Sequence, residues 1–544
     1  MLDAVAETGF SETTGLMASP GPRLLGTRQS ATGRPGDPSG ARGPPAGRAL
    51  VFEGNMYVGI DLGTSEVKAI LLEERGTIAA SASAPLEVLR PRPRWSEQSA
   101  EAWWEASLAA VDKLKAAQPA GLAAVRGIGL SGQMHGATLL DQADRPLRPA
   151  ILWNDTRSDA ECRELEARVP RMRAITGNLA FPGFTAPKLM WVEKNEPETF
   201  ARVRSVLLPK DYLRLRLTGE KVSDMSDASG TLWLDVGRRD WSDEMLSGTH
   251  LSRAQMPRLC EGSEASGELR KELRDRWGMT GRVVVAGGGG DNAASAVGIG
   301  AVATGGGFVS LGTSGVTFVV NDRFLPNPES AVHAFCHALP GRWHQMSVML
   351  SAASCLRWAT RLVRAANEAE ILAEVEKLDA SSRAAAPIFL PYLTGERTPH
   401  NDATVQGVFL GLTPSTDRPA LVYSVIEGVA FGLTDGVDAL RVAGTEVGTL
   451  SLVGGGSRSA YWAQLIADLL QARLETHTGG ETGAALGAAR LGQLACGGDE
   501  ATVCGRPPVS RTFEPSAAAR TPLLERLARF RALYRTVAPT FTAS

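Results

Sequence analysis

The chain has 544 residues and a formal net charge of −2; 43% of it is hydrophobic and 21% charged. That length asks for two or three domains and that composition fills their cores, while the balanced charge excludes a basic nucleic-acid groove or a polybasic membrane patch. The six cysteines show no CxxC pair and no metal-ligand spacing, the usage of reduced thiols in a cytoplasmic protein, and no apolar run approaches the roughly 18 residues of a membrane span.

Residues 1–55 are rich in Gly, Pro, Ser, Arg and Ala and lack both periodicity and a secretory apolar core. They are expected as a disordered leader, either a poorly ordered tail or an over-extended reading frame ahead of Met56. Val58 to Leu62 and Val67 to Leu72 then make a hairpin around Gly63-Thr64-Ser65. Pro91 to Gln98 reads as a loop, and Ser99 caps a helix carrying Trp103, Trp104, Leu108 and Val111. Val125 to Leu130 is a short buried strand that runs into Ser131-Gly132-Gln133-Met134-His135-Gly136. Val206 to Leu208 is a strand, and Asp211 to Leu217 is a helix closed by Thr218-Gly219. Val283 to Ala286 is a strand ending in Gly287-Gly288-Gly289-Gly290-Asp291-Asn292, with a small-residue helix from Ala293 to Ile299 behind it.

The pattern restarts at Phe308. A second hairpin turns through Gly312-Thr313-Ser314, and helices follow over about 352–366 and 419–440. Thr449 to Val453 is a strand running into Gly454-Gly455-Gly456-Ser457, and Tyr461 to Ala472 is an amphipathic helix. Thr482 to Leu491 is dense in Ala and Gly and suits close packing, and Arg520 to Leu533 is a last amphipathic helix. Two halves that each open on a hairpin and continue as strand and helix argue an α/β class with a mixed, mostly covered sheet in each.

The doubled Gly-Thr-Ser turn carries the functional reading. Such a turn exposes backbone N–H groups and hydroxyls in a small concavity that suits a phosphate. Asp61 beside the first turn suits a Mg²⁺ with its water shell; a turn Asp bonding its own backbone would explain it equally well in isolation. Asp291, at a helix start, suits a base that accepts the proton of an attacking hydroxyl, and the helix N-terminus would favour its ionised form. A plain N-cap would explain Asp291 but not the four glycines before it. His135, among small and polar neighbours, reads as a sugar-hydroxyl partner. Gly454 to Gly456 let a flat base or a phosphate approach the backbone. All four segments stand at the carboxyl ends of predicted strands, where open α/β sheets place their ligands.

These segments, with Trp95-Ser96-Glu97-Gln98, Leu152-Trp153-Asn154-Asp155-Thr156-Arg157, Pro209-Lys210-Asp211-Tyr212-Leu213, Ser226-Asp227-Ala228-Ser229-Gly230 and Gly395-Glu396-Arg397-Thr398-Pro399-His400, resemble the FGGY family of carbohydrate kinases over Tyr57 to about Phe541. The resemblance implies two ribonuclease-H-like domains of the actin-like ATPase type flanking a deep cleft, residues 56–304 on the sugar side and 305–544 on the ATP side. It implies Asp291 as catalytic base, Met134, His135, Asp291 and Asn292 as sugar contacts, and Asp61 on the metal side. It implies Thr64, Gly312, Thr313, Ser314, Gly454, Gly455 and Ser457 as nucleotide contacts, with ATP and Mg²⁺ as cofactors. D-xylulose is the implied acceptor; another ketose, polyol or sugar acid is the alternative. A homodimer is compatible with the family, and neither nucleic acid nor membrane is expected as a partner. A nucleotide-switch ATPase would share the doubled hairpin but would need neither the sugar loop nor the carboxylate at Asp291.

Overall fold

The computed structural model describes residues 54–478 and 483–541. Residues 1–53 of the expected leader lie outside that range. Gly54 and Asn55 lead directly into the first strand, and the Asn55 amide donates to the Glu74 carboxylate at 3.2 Å.

The first sheet grows from the predicted hairpin. β1 (Met56–Leu62) and β2 (Glu66–Glu73) pair antiparallel, and β3 (Ile78–Pro85) continues the meander. Helix α1 (Ala100–Ala117) starts at Ser99, whose hydroxyl accepts the Ala102 N–H, and buries Trp103, Trp104 and Val111. β4 (Val125–Gly132) then lies parallel to β1. After α2 (Pro209–Thr218) and the one-turn α3 (Met225–Ser229) come β5 (Ala265–Glu268), β6 (Val284–Ala286), the two-residue β7 (Gly289–Gly290) and α4 (Asp291–Gly298). The strand order is β5-β6-β4-β1-β2-β3, with β7 also paired to β4. The sequence places Glu97-Gln98 in a loop, but they form a short ladder with Ala150–Ile151.

The second sheet repeats the plan. β8 (Gly307–Leu311) and β9 (Gly315–Asn321) form the hairpin, and β10 (His333–Cys336) and β11 (Trp343–Met349) extend it. Helix α5 (Arg418–Val442) precedes β12 (Leu450–Val453), which lies parallel to β8; β13 (Leu474–His477), helix α6 (Gly483–Ala495) and β14 (Val509–Phe513) follow. The order is β10-β11-β9-β8-β12-β13-β14. In both sheets a hairpin has its first strand flanked by a parallel strand and its second by an antiparallel one.

Two features of the fold add to the sequence reading. The expected division at residue 304/305 separates the sheets, yet α6 from the second half packs on the first sheet. Its fit depends on glycine: a Cβ on Gly129 would stand 1.7 Å from the Ala488 carbonyl oxygen, and one on Gly59 2.0 Å from that of Ala485. Helix α5 is also long and apolar enough to span a membrane by length and composition, with a mean hydropathy of 1.4 over its best window. Its letters are interrupted by Ser424, Glu427, Thr434 and Asp435, so it is not an unbroken apolar run. In the fold 89% of that window is buried, as the central helix of the second core. All six cysteines are free thiols, five of them buried.

Candidate active site

Register brings the first group of predicted residues together. β4 ends at Ser131-Gly132, between two parallel neighbours. On one side Asp61 pairs with Ser131 and Leu62 with Gly132; on the other Gly289 pairs with Ser131 and Gly290 with Gly132. One β4 terminus therefore sets both Asp61 and the residue before Asp291.

Asp291 is the first residue of α4, and Gly290 is its cap, so the N-cap explanation fails. The Asp291 Oδ1 accepts the Asn292 N–H (2.7 Å) and the Asn292 side-chain amide (2.9 Å). The helix terminus was expected to favour the charged form, but burial outweighs it and the two Asn292 hydrogen bonds, raising the carboxyl above its ordinary value. Asp61 is pushed up to about 6, first by burial and next by the charge of Asp291. Its Oδ1 is buried without a hydrogen-bond partner. An orphaned carboxylate oxygen beside a second carboxylate fits a hard cation. No group of three or more His, Cys, Asp or Glu side chains forms a metal cage among the described residues. That combination suits Mg²⁺, which keeps several waters and takes phosphate oxygens as further ligands.

The loop after β4 is built as tightly. His135 has φ 69°, its Nδ1 lies 2.7 Å from the Gly230 carbonyl, and its ring packs on Phe184 with centroids 4.6 Å apart. Burial, and secondarily the charge of Lys188, depress the imidazole to about 3. The ring is thus neutral; Nδ1–H donates to Gly230, and Nε2 is left as an acceptor. Lys188 Nζ donates to the carbonyls of His135 (2.9 Å) and Gly183 (2.6 Å), and Thr185 donates to His135 as well (3.2 Å). Met134 is buried, and its Sδ would lie 2.8 Å from a Cβ on Gly290.

Thr64, expected as a phosphate contact, has its hydroxyl engaged. It donates to Gln133 Oε1 (3.2 Å) and accepts from Trp153 Nε1 (3.0 Å). Gln98 donates to the Thr64 carbonyl (2.7 Å), and Gln133 donates to Gln98 (2.8 Å). The first turn and the sugar-type loop are therefore one hydrogen-bonded unit. Sequence reasoning assigned no role to Gln98 or Trp153. A tryptophan just before the polar run Asn154-Asp155-Thr156-Arg157 was the available signal, and the residue is 48% exposed.

The second group belongs to the second sheet. The β8–β9 turn is pinned by its carbonyls: Gly312 O accepts Ala353 N–H (2.8 Å), and Thr313 O accepts from Ala352 N–H (2.9 Å) and the Ser354 hydroxyl (2.7 Å). Thr313 and Ser314 are exposed. Gly454 has φ 91°, and a Cβ there would lie 2.8 Å from the Leu311 carbonyl, so the 454–456 loop lies against the turn. Ser457 donates its hydroxyl to the Gly454 carbonyl (2.7 Å) and so braces the loop. Gly455, Gly456, Ser459, Trp462, Leu356 and Asn367 contribute to a pocket of about 630 Å³, within the range of small-molecule sites.

Two sheets of one topology, each with a Gly-Thr-Ser hairpin turn and the first with paired carboxylates, define an α/β phosphotransferase of the actin-like ATPase fold. Residues 56–298 match the N-terminal domain, and residues 307–496 the C-terminal domain, of the FGGY family of carbohydrate kinases. The chain belongs to the FGGY family of carbohydrate kinases. It is 53% identical over 487 residues to a xylulose kinase of Escherichia coli strain K12, covering 89% of this chain and 99% of that one. A xylulose kinase of Klebsiella pneumoniae is 55% identical over 441 residues, 81% of this chain and 90% of that one. A crystal structure from Brucella ovis, named a xyloylose kinase, superposes with TM-score 0.86 at 55% identity over 89% of this chain and 100% of its own. A Plasmodium falciparum glycerol kinase with ADP shares the fold, with TM-score 0.80 at 20% identity over 89% and 99%.

Proposed function

We propose that this chain transfers the γ-phosphoryl group of ATP to the 5-hydroxyl of D-xylulose, giving D-xylulose 5-phosphate, in the cytoplasm. The observation that carries the chemistry is that Asp61 and Asp291 flank one strand terminus, with the charge of Asp291 helping to raise Asp61. The identity above 50% to two xylulose kinases carries the choice of sugar.

In this reading Asp291 is the base. Its Oδ1 is held by Asn292, so Oδ2 takes the proton of the attacking hydroxyl. Neutral His135 accepts a hydrogen bond from a sugar hydroxyl at Nε2, and Met134 and Asn292 are the other sugar contacts. Asp61 would hold Mg²⁺ together with phosphate oxygens, and that ion would neutralise charge on the transferring group. Backbone N–H groups of the first turn and the exposed Gly312-Thr313-Ser314 turn grip phosphates. Gly454 and Gly455 admit the adenosine, and Ser457 keeps that loop in shape. Closure of the two domains excludes water, which otherwise competes as acceptor.

The test is an ADP-release assay over a panel of ketoses, polyols and sugar acids. D-xylulose should give the highest kcat/KM. A preference of about tenfold for any other sugar would overturn the substrate assignment.

A further inference from the structure

The segment Asp224 to Ser229 has no part in the mechanism above, although its residues are almost wholly buried. We infer that Ser226 is a positioning residue for Asp291: its hydroxyl, anchored on a buried ion cluster, fixes the backbone of Gly290 and so aims the adjoining carboxylate. The inference rests on Asp291 being the base.

The connections are short. Asp224 caps α3, its Oδ2 accepting the N–H of Ser226 (2.8 Å) and of Asp227 (3.3 Å) as well as the Ser226 hydroxyl. With its proton committed there, Ser226 Oγ accepts the Gly290 N–H at 3.1 Å. Gly290 is the residue immediately before Asp291. The anchor beneath is Lys210, whose Nζ pairs with Asp224 (2.7 Å), Asp227 (3.1 Å) and Asp211, all four side chains fully buried. From the same helix Arg214 donates to the carbonyls of Ala286 and Gly287 and to the Ser266 hydroxyl. The glycine run is therefore held at its start by Arg214 and at its end by Ser226, while β7 pairs with β4 alongside.

Gly287 to Gly290 have no side chains to wedge them in place and the widest backbone freedom of any residues. Something outside the run must hold it if Asp291 is to meet a hydroxyl at attack distance. The cluster is rigid enough for that. Lys210 and Arg214 face the carboxylates of Asp211, Asp224 and Asp227 in one buried cluster, where burial, opposed by the Lys210 charge, raises Asp227 well above its ordinary value. The far end of the segment, with Gly230 after it, serves other elements: the Gly230 carbonyl accepts His135 Nδ1–H, and Ser229 Oγ accepts the Cys336 N–H of β10 at 3.0 Å. Ser226→Ala removes the Gly290 link and the hydroxyl's own bond to Asp224. The Ser226 and Asp227 N–H groups still hold the cap, so His135 keeps its support.

Steady-state kinetics of the parent, Ser226→Ala, Ser226→Thr and Asp291→Asn proteins test this. Ser226→Ala should lower kcat by about 100-fold, the cost of roughly 1 Å of misplacement, with KM for ATP and for D-xylulose within about threefold of the parent. Ser226→Thr keeps the acceptor oxygen and should recover at least about tenfold of that loss. A purely structural role would lower melting temperature in both variants with no such split. Parental kcat in Ser226→Ala, or equal losses in the Ala and Thr variants, would overturn the inference while an inactive Asp291→Asn left the base reading standing. An active Asp291→Asn would overturn the base reading, and this inference with it.

Discussion

At Asp61, burial and the neighbouring Asp291 charge act in one direction. An unfolded carboxyl of this type titrates near 3.8 and the folded one at about 6. Between those pH values the folded chain keeps a proton that the unfolded chain has released, so stability falls as pH rises through that window. A gap of about two units is worth about 3 kcal/mol, present as a penalty at pH 7 and absent below pH 4. Asp61→Asn should therefore raise the melting temperature at pH 7 in Mg²⁺-free buffer and leave it unchanged near pH 4, while activity is lost. Scanning fluorimetry at the two pH values checks this; a gain at neither pH would show that the carboxylate is not strained. Asp291→Asn removes the proposed base but keeps the shape, and turnover should fall by about 10³-fold with ATP and D-xylulose still binding in calorimetry.

At the scale of elements, the positions of α6 and of the glycine run decide the site. α6 lies on the first sheet so closely that Gly59 and Gly129 meet backbone carbonyls rather than side chains. No rotamer change relieves such a contact. Gly129→Ala should destabilise the protein by about 3 kcal/mol, read as a lowered urea midpoint, because either the helix or the strand must move. An unchanged midpoint would mean that the helix tolerates displacement. The loop carrying His135 shows the same logic: Lys188, Thr185 and Gly230 clamp its backbone and ring from three directions. A positive φ at a histidine persists because those neighbours fix it.

At the scale of the whole molecule, each sheet holds one half of the proposed machinery. Asp61, the sugar-type loop and Asp291 belong to the first; the exposed Thr313-Ser314 turn and the glycine loop over the 630 Å³ pocket belong to the second. A reaction that joins these halves requires their approach. Small-angle scattering should show a smaller radius of gyration with a non-hydrolysable ATP analogue, Mg²⁺ and D-xylulose than with no ligand. The same radius in both states would remove closure from the mechanism.

Local chemistry made much of this legible. Apolar runs around Gly-Thr-Ser revealed both hairpins, Ser99 announced its helix, and the glycines before Asp291 marked a backbone held open. Those signals lie within a few residues of what they specify, so the sequence by itself determined the elements and the residues with chemical potential. Tertiary structure decided the rest. It laid α6 against the first sheet, engaged the Thr64 hydroxyl with Gln133 and Trp153, reversed the expected shift at Asp291, and joined Ser226 to Gly290 across 64 positions. Pairing register, burial and through-space charge set these, and each depends on residues far apart in the chain, whose neighbourhood exists only once the sheets have formed.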